Sequence, residues 1–192
     1  MSLSLVTPST EEPVTHEEIV LWLRLDEHNV TEDALIDSLL TRARQRWEEV
    51  SQRSALVQTF DYFLDDAPSD CALTLPKAPL VSVESISGFD DDGTATSMST
   101  SGYYVDTASE FGRVQPLSAF SYPTASRSIN GFRVRFTAGY SSTPTSVPES
   151  VKTEIKQLVA HLYEHRGDEA EQAKVLALYG SVPTELDLPT WG

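Results

Sequence analysis

The chain has 192 residues and a formal net charge of −15 at pH 7, from 29 acidic and 14 basic side chains. Tight binding to a phosphate backbone requires a basic face, so this composition argues against a protein that reads nucleic-acid sequence. No apolar stretch approaches the roughly 20 residues of a membrane span, and a single cysteine, Cys71, excludes an internal disulfide. The hydrophobic fraction of 40% is sufficient for a folded core.

The N-terminal part of the chain predicts a short arm followed by helices. Residues 1–14 contain Pro, Ser and Thr and are expected to form a flexible arm. Thr15 and Glu18 have the spacing of a capping box, which predicts a helix over THEEIVLWLRL. Thr31 is a good N-cap for a second helix that ends near Gln52. Its apolar stripe consists of Ile36, Leu40, Ala43, Trp47 and Val50. Residues 15–55 are therefore predicted to be the N-terminal helices.

Residues 56–140 change to a period of two, which is typical of strands. VQTFDYFL alternates, and INGFRVRFTAGY is the clearest strand, with Phe132, Val134 and Phe136 on one face. Asp90–Gly93 predicts a turn, because Gly tolerates positive φ. The low-complexity segment TATSMSTSG, residues 94–102, is expected to be a mobile loop. The region predicts a small, mostly antiparallel β-module.

Helical periodicity returns near the C-terminus. Ser146 and Glu149 have capping-box spacing before a helix whose stripe consists of Val151, Ile155, Leu158 and Leu162. A further short helix is predicted after Gly167, so that 146–180 are the C-terminal helices that pack with 15–55, and 181–192 form an extended tail. The fold class is therefore predicted as α+β. An antiparallel helical bundle has the β-module inserted between its N-terminal and C-terminal helices.

HLYEH is the one motif with possible catalytic chemistry, because its spacing matches that of inverted zinc peptidases. His161 and His165 would bind zinc and Glu164 would act as general base. A catalytic zinc needs a third protein ligand, and Gly167 interrupts the helix before the nearest candidates. We therefore interpret the motif as a helix end and expect no metal, no cofactor and no enzymatic activity. A zinc-dependent hydrolase is the alternative.

The order of these elements resembles the head–tail connector (adaptor) family of long-tailed phages and gene transfer agents. It is similar to the larger members, which have a β-module inserted into the helical bundle. The resemblance covers roughly residues 14–168 and is one of sequential pattern, not of a catalytic signature. The stretches that carry it are VTHEEIVLWLRL, EDALIDSLLTRARQRWEEVSQRSAL, QTFDYFLD, LTLPKAPLVSVESISGFDDDG, YYVD, GRVQP, FRVRFTAGYSS and VPESVKTEIKQLVAHLYEHRG.

The resemblance implies a structural role at the head–tail junction of a virion, after synthesis in the cytoplasm of a bacterial host. It implies a ring, expected to contain twelve copies, between the portal protein and a stopper or tail-completion protein. DNA would pass through an acidic lumen without specific binding, and no membrane is involved.

The C-terminal tail is expected to dock on the portal through spaced apolar side chains. They are Val182, Leu186, Leu188 and Trp191. Packing of Trp191 on its own subunit is an open alternative for that side chain. A generic soluble interaction module, which would explain the composition but not the ordered pattern, is a further alternative for the whole chain.

Overall fold

The computed structural model describes residues 1–25, 32–69, 72–168, 170–171 and 174. These residues form a mixed α+β fold with three α-helices and antiparallel sheets. The chain divides into two compact units, each made of two separate segments. Unit 1 consists of Met1–Thr10 and Leu56–Ser142, and unit 2 consists of Glu11–Ala55 and Thr143–Gly192. No helix in the described ranges is long and apolar enough to cross a membrane.

Unit 2 contains the helices, which are α1 (His16–Leu23), α2 (Asp33–Ser51) and α3 (Glu149–Glu164). The capping box at the start of α1 is confirmed. The Glu18 amide donates to the Thr15 hydroxyl, and the Thr15 amide donates to the Glu18 carboxylate. The predicted stripe of α3 is confirmed, since Val151, Ile155, Leu158 and Leu162 are buried. In the predicted stripe of α2, Ile36, Leu40, Ala43 and Trp47 are buried, and Val50, at its end, is half-buried.

The helices of unit 2 are joined by polar contacts as well as by their apolar stripes. The Trp47 indole donates to a Glu154 oxygen at 2.6 Å, which links α2 to α3. Lys156 lies 3.4 Å from Glu18, which links α3 to α1. These partners come from sequence positions more than a hundred residues apart. Long-range pairing of this kind fixes which helix faces meet.

The sequence predicts capping residues at the starts of α2 and α3, namely Thr31 and Ser146. The capping box predicted at Ser146 is wrong, because Ser146 ends a short 3₁₀ turn, Pro144–Ser146, and Pro148 occupies the N-cap without a side-chain cap. Proline suits this place, since its fixed φ is compatible with the start of a helix. Thr31, the predicted N-cap of α2, lies outside the described residues, and the N-cap position of the helix is occupied by Glu32 without a side-chain cap.

The described residues of unit 1 form eight strands in two antiparallel sheets. The five-stranded sheet has the order β1-β2-β8-β4-β5, and the three-stranded sheet has the order β3-β7-β6. The strands are β1 Ser2–Thr7, β2 Gln58–Leu64, β3 Leu73–Thr74, β4 Leu80–Phe89, β5 Ala95–Ser97, β6 Tyr103–Asp106, β7 Arg113–Pro116 and β8 Phe132–Ala138. The central strand β8 is the one whose alternation predicted it most clearly, and Phe132, Val134 and Phe136 are fully buried.

Two segments of unit 1 differ from the sequence prediction. Residues 2–7, expected in a flexible arm, form β1, whose residues Ser2–Leu5 pair in continuous antiparallel register with Phe60–Phe63 of β2. Residues 94–102, expected as a mobile loop, contain β5 and a 3₁₀ turn at Thr100–Gly102. In both cases a neighbouring strand supplies backbone hydrogen bonds that local composition does not reveal. The predicted turn at Asp90–Gly93 is confirmed, with Gly93 at φ 83°.

Candidate interaction surfaces

The predicted metal motif lies at the C-terminal end of α3. The rings of His161 and His165 stack with their centroids 4.1 Å apart, and Nδ1 of His165 lies 3.1 Å from the backbone oxygen of His161. A catalytic zinc needs a third protein ligand. Within 1–25, 32–69 and 72–168, no cluster of three or more His, Cys, Asp or Glu side chains is arranged to hold a metal. A third ligand beside His161 and His165 is therefore not found within those ranges.

The predicted tail contacts lie outside the described residues. Val182, Leu186, Leu188 and Trp191 all belong to this part of the chain, as does most of the short helix predicted after Gly167. Their docking role therefore stays a prediction. Both units expose large apolar side chains, and most of those in unit 1 lie in stretches without charge.

Three long stretches of unit 1 carry no charged side chain, although the whole chain is 22% charged. They are residues 1–10, 93–105 and 114–126, and we call them the uncharged segments. Each contributes exposed apolar side chains, including Leu5 in the first, Tyr104 in the second and Phe120 in the third. Apolar groups exposed together with no charge around them are typical of contact surfaces.

The first two uncharged segments form the two edges of the five-stranded sheet. β1 and β5 are the terminal strands of that sheet, and every residue in each of them is exposed. Leu5 and Val6 of β1 are 49% and 41% exposed. An exposed edge strand presents a row of backbone N–H and C=O groups, and natural edges are usually protected by lysine, proline or a covering segment. Neither β1 nor β5 contains a charged residue or a proline.

The third uncharged segment forms one wall of a groove beside the three-stranded sheet. The groove has a volume of about 690 Å³, and none of its lining side chains is charged. Tyr104 and Phe120 are its large exposed rings, at 69% and 46% exposure. The lining residues are Tyr104, Gln115, Pro116, Leu117, Ser118, Ala119, Phe120 and Ser121.

The wall of this groove is fixed to the core by several contacts. The buried Tyr122 hydroxyl donates to the Val114 carbonyl at 2.8 Å, and its ring meets Phe132 edge to face. The Leu117 amide donates to the Gly102 carbonyl at 2.9 Å. Gly88 lies so close to the Thr124 carbonyl that a Cβ added there would be 2.4 Å from its oxygen. The wall therefore depends on a glycine in the adjacent sheet.

Arg113, Arg133 and Arg135, three of the four arginines in unit 1, are paired with carboxylates. Arg135 forms two hydrogen bonds of 2.7 Å with the buried Asp61, which lies directly opposite it across β2 and β8. The hydrogen bond with Asp61 holds the pKa of Arg135 above its ordinary value. Hydrogen bonds from Ser109 and then from Arg113 hold the pKa of Asp106 well below its usual range. Because these arginines are engaged, they do not form a phosphate-binding face.

Unit 1 thus offers uncharged edges and a groove, which are suited to contact with protein and not to acid–base chemistry. Sequence reasoning missed these surfaces, because it considered the net charge of the chain and the periodicity of apolar residues, not the stretches that lack charge. A search for charge-free stretches would have found all three. It would not have shown that two of them form opposite edges of one sheet, since that depends on strand order.

Comparisons with known proteins relate this fold to the necks of particles. No protein-family model and no curated protein matches the chain. A chain in the virion of a native gene transfer agent (GTA) particle is 26% identical, with a TM-score of 0.74 and 88% of each chain covered. A chain in the neck of an empty GTA particle computed with C6 symmetry is also 26% identical, with a TM-score of 0.73, covering 88% of this chain and 87% of that one. A chain in the neck of a native GTA particle computed with C12 symmetry shares the fold at 24% identity and a TM-score of 0.66, with 93% and 94% covered.

Proposed function

We propose that this chain is a structural component of a virion neck and, more specifically, the adaptor subunit that joins portal and tail. The observation that carries the proposal is the similarity to a chain in the neck of an empty GTA particle, which covers 88% of this chain and 87% of that one at a TM-score of 0.73. Similarity over nearly the whole of both chains favours a shared place in the particle over a shared motif. The arrangement of a helical bundle with an inserted β-module is part of this proposal.

A ring of identical subunits is the second part of the proposal, and we expect twelve copies. Two of the similar chains come from necks computed with C6 and C12 symmetry. Copies that each carry a net charge of −15 repel one another, so their contacts are favoured where charge is absent. The uncharged segments supply surface of that kind.

Passage of DNA without binding is the third part. Exposed acids such as Asp90, Asp91 and Asp92 have no matching basic stretch beside them in the sequence. The cations Arg44, Arg135 and Lys156 each lie within 3.4 Å of a carboxylate. An acidic wall repels phosphates, which keeps DNA from adhering during packaging and ejection. The proposed role is therefore non-enzymatic.

Portal docking by the tail is the part that a truncation tests directly. A chain that ends after Gly180 lacks Val182, Leu186, Leu188 and Trp191. We expect at least a tenfold loss of affinity for the portal with an unchanged circular dichroism spectrum. Affinity is measured by co-purification and by surface binding to the isolated portal.

The matched control keeps the length of the tail and replaces the same four apolar residues with Ser. It should lose binding as the truncation does, because apolar anchors supply most of the energy of such contacts. Unchanged portal binding by both variants would contradict the docking role of the tail. The stopper or tail-completion protein is the proposed partner on the opposite side of the ring.

A further inference from the structure

The two edges of the five-stranded sheet meet the requirement of a ring contact. A ring is built from one repeated interface between two different patches of the same chain. Since β1 and β5 are opposite ends of one sheet, each subunit presents one edge toward each of two neighbours. Both edges are exposed throughout and free of charge.

We propose that β1 of one subunit pairs with β5 of the adjacent copy, so that one β-sheet continues from subunit to subunit around the ring. This inference rests on the proposed ring and names its contact. The occupant of each edge is a second copy of this chain. Backbone hydrogen bonds provide the attraction, which suits subunits that repel one another through their side-chain charges.

The strand directions are compatible with this contact. Four successive antiparallel pairings separate β1 from β5, so the two strands run in the same direction within one sheet. In a twelvefold ring, neighbouring copies differ by a rotation of about 30°. Because adjacent strands of a sheet are also twisted by roughly 20–25°, the agreement is one of polarity: a pairing of β5 with the neighbour's β1 is of the parallel type, with evenly spaced backbone hydrogen bonds.

The contact is also short, and this has a consequence for assembly. β5 has 3 residues, so each junction contains only a few hydrogen bonds. An isolated pair of short strands is marginally stable in water. When the ring closes on a platform, every β1 and β5 edge is paired with a neighbour, so all junctions form together. A subunit of this kind stays monomeric in dilute solution and assembles where a platform collects the copies.

Cysteine cross-linking of assembled rings tests the contact. In a Cys71→Ala chain, Leu5→Cys is combined in turn with Ala95→Cys, Thr96→Cys and Ser97→Cys, which samples the register. Adjacent strands lie about 4.8 Å apart, within the Cα separation of a disulfide. Oxidation of rings, either concentrated or isolated in particles, should give a covalent ladder for at least one pair. The Leu5→Cys chain alone should give none.

The outcomes of the cross-linking experiment distinguish failure of the β1–β5 contact from failure of the proposed function. Rings that form normally but give no ladder with any pair would overturn the β1–β5 contact and leave the adaptor proposal standing. A dimer from Leu5→Cys alone would overturn it as well, since it shows a symmetric contact of β1 with itself. Absence of rings in every chain, including the native one, would overturn both proposals.

A charge placed on the edge gives a second test with a matched control. Lysine on an edge strand opposes strand pairing, and Leu5 is 49% exposed, so Leu5→Lys leaves the subunit folded. We expect ring or particle yield to fall at least tenfold. The control is Ile129→Lys, the same change at a 67% exposed position outside both edges, with yield unchanged. Equal yields from the two variants would contradict the proposal.

Discussion

Units 1 and 2 both have an excess of acidic residues, but they differ in where their charged side chains lie and in what those side chains contact. Unit 2 carries 19 acidic and 9 basic residues, against 10 and 5 in unit 1, on nearly equal lengths of chain. In unit 2, ion pairs and hydrogen bonds connect segments that are distant in the sequence. In unit 1, Asp61 and Arg135 also form such a pair, but charged residues are fewer and the uncharged segments contain none. Charge therefore contributes to the internal contacts of unit 2, while the exposed uncharged segments of unit 1 are the surfaces that we propose contact other copies.

The Glu12–Arg44–Glu48 cluster is the clearest example of internal stabilisation in unit 2. Arg44 lies 2.6 Å from Glu12 and 3.1 Å from Glu48, and its side chain is 13% exposed. Burial alone would lower the pKa of Arg44, but its hydrogen bond with Glu12 and the charges of Glu48 and Glu12 hold the pKa above its ordinary value. Glu48 in turn accepts from the Ala55 amide at 3.1 Å. The cluster thus ties the residues before α1 and after α2 to α2.

Loss of Arg44 gives the largest expected effect. Arg44→Met leaves two half-buried carboxylates without their cation, and removing one partner of a buried pair costs about 3 kcal/mol. The free energy of unfolding is measured in urea by tryptophan fluorescence, which reports on unit 2 because Trp22 and Trp47 lie there. The control is Arg42→Met at an exposed position two residues away, where we expect less than about 0.5 kcal/mol. Equal losses would contradict the internal role of the cluster.

Substitution of Gly88 tests whether this residue supports the groove wall of unit 1, and its expected effect is smaller than that of Arg44→Met. Gly88→Ala places a Cβ 2.4 Å from the Thr124 carbonyl oxygen, so residues near 124 must move. Overpacking of this kind costs about 2 kcal/mol. Hydrogen exchange should increase in residues 117–124 and remain unchanged in α2. Unchanged exchange in 117–124 would contradict the proposed support of the groove wall.

His16 gives the smallest expected effect and one that depends on pH. Its ring lies 2.7 Å from Asp37 and 3.3 Å from Asp33, which joins the start of α1 to the start of α2. The hydrogen bond with Asp37 raises the pKa of His16 above 6.5. Since the folded state holds the proton more tightly, the stabilisation is fully present below the unfolded pKa of about 6.5 and is lost as pH rises through the folded pKa.

The unfolding free energy of unit 2 should therefore decrease from pH 6 to pH 8.5 by more in the native chain than in His16→Gln. The difference between the two chains, measured in urea at each pH, isolates the histidine from the other titrating groups. A difference that is constant over this range would show that the contact with Asp37 does not depend on the charge of His16.

Local periodicity predicted the helices and the central strand, because their buried faces repeat at the helical or strand period. The stripe of α3 and the alternation at Phe132, Val134 and Phe136 are examples, and the structure buries all of these residues. β1 was missed even though Leu3 and Leu5 alternate with Ser2 and Ser4, because the composition of the segment favoured an arm. β5 has no apolar alternation at all. Its pairing with Ser87–Phe89 of β4 stabilises it.

The candidate surfaces depend on features that no single stretch of sequence contains. The position of β1 and β5 at opposite edges follows from the strand order, and the groove follows from Tyr122 holding a loop against Val114 and Phe132. The resemblance to adaptors supplied the proposed role, and the similarity to GTA neck structures supports its coarser form. The tail residues from Val182 to Trp191 stay a sequence prediction.

The most direct test of the central claim is to locate the chain in assembled particles. Single-particle electron microscopy of purified particles, labelled with an antibody fragment raised against this chain, gives its position and copy number. We expect a ring of labels at the head–tail junction, directly below the portal, with twelve copies. Label on the capsid or at the distal end of the tail, or particles that contain none of the chain, would contradict it.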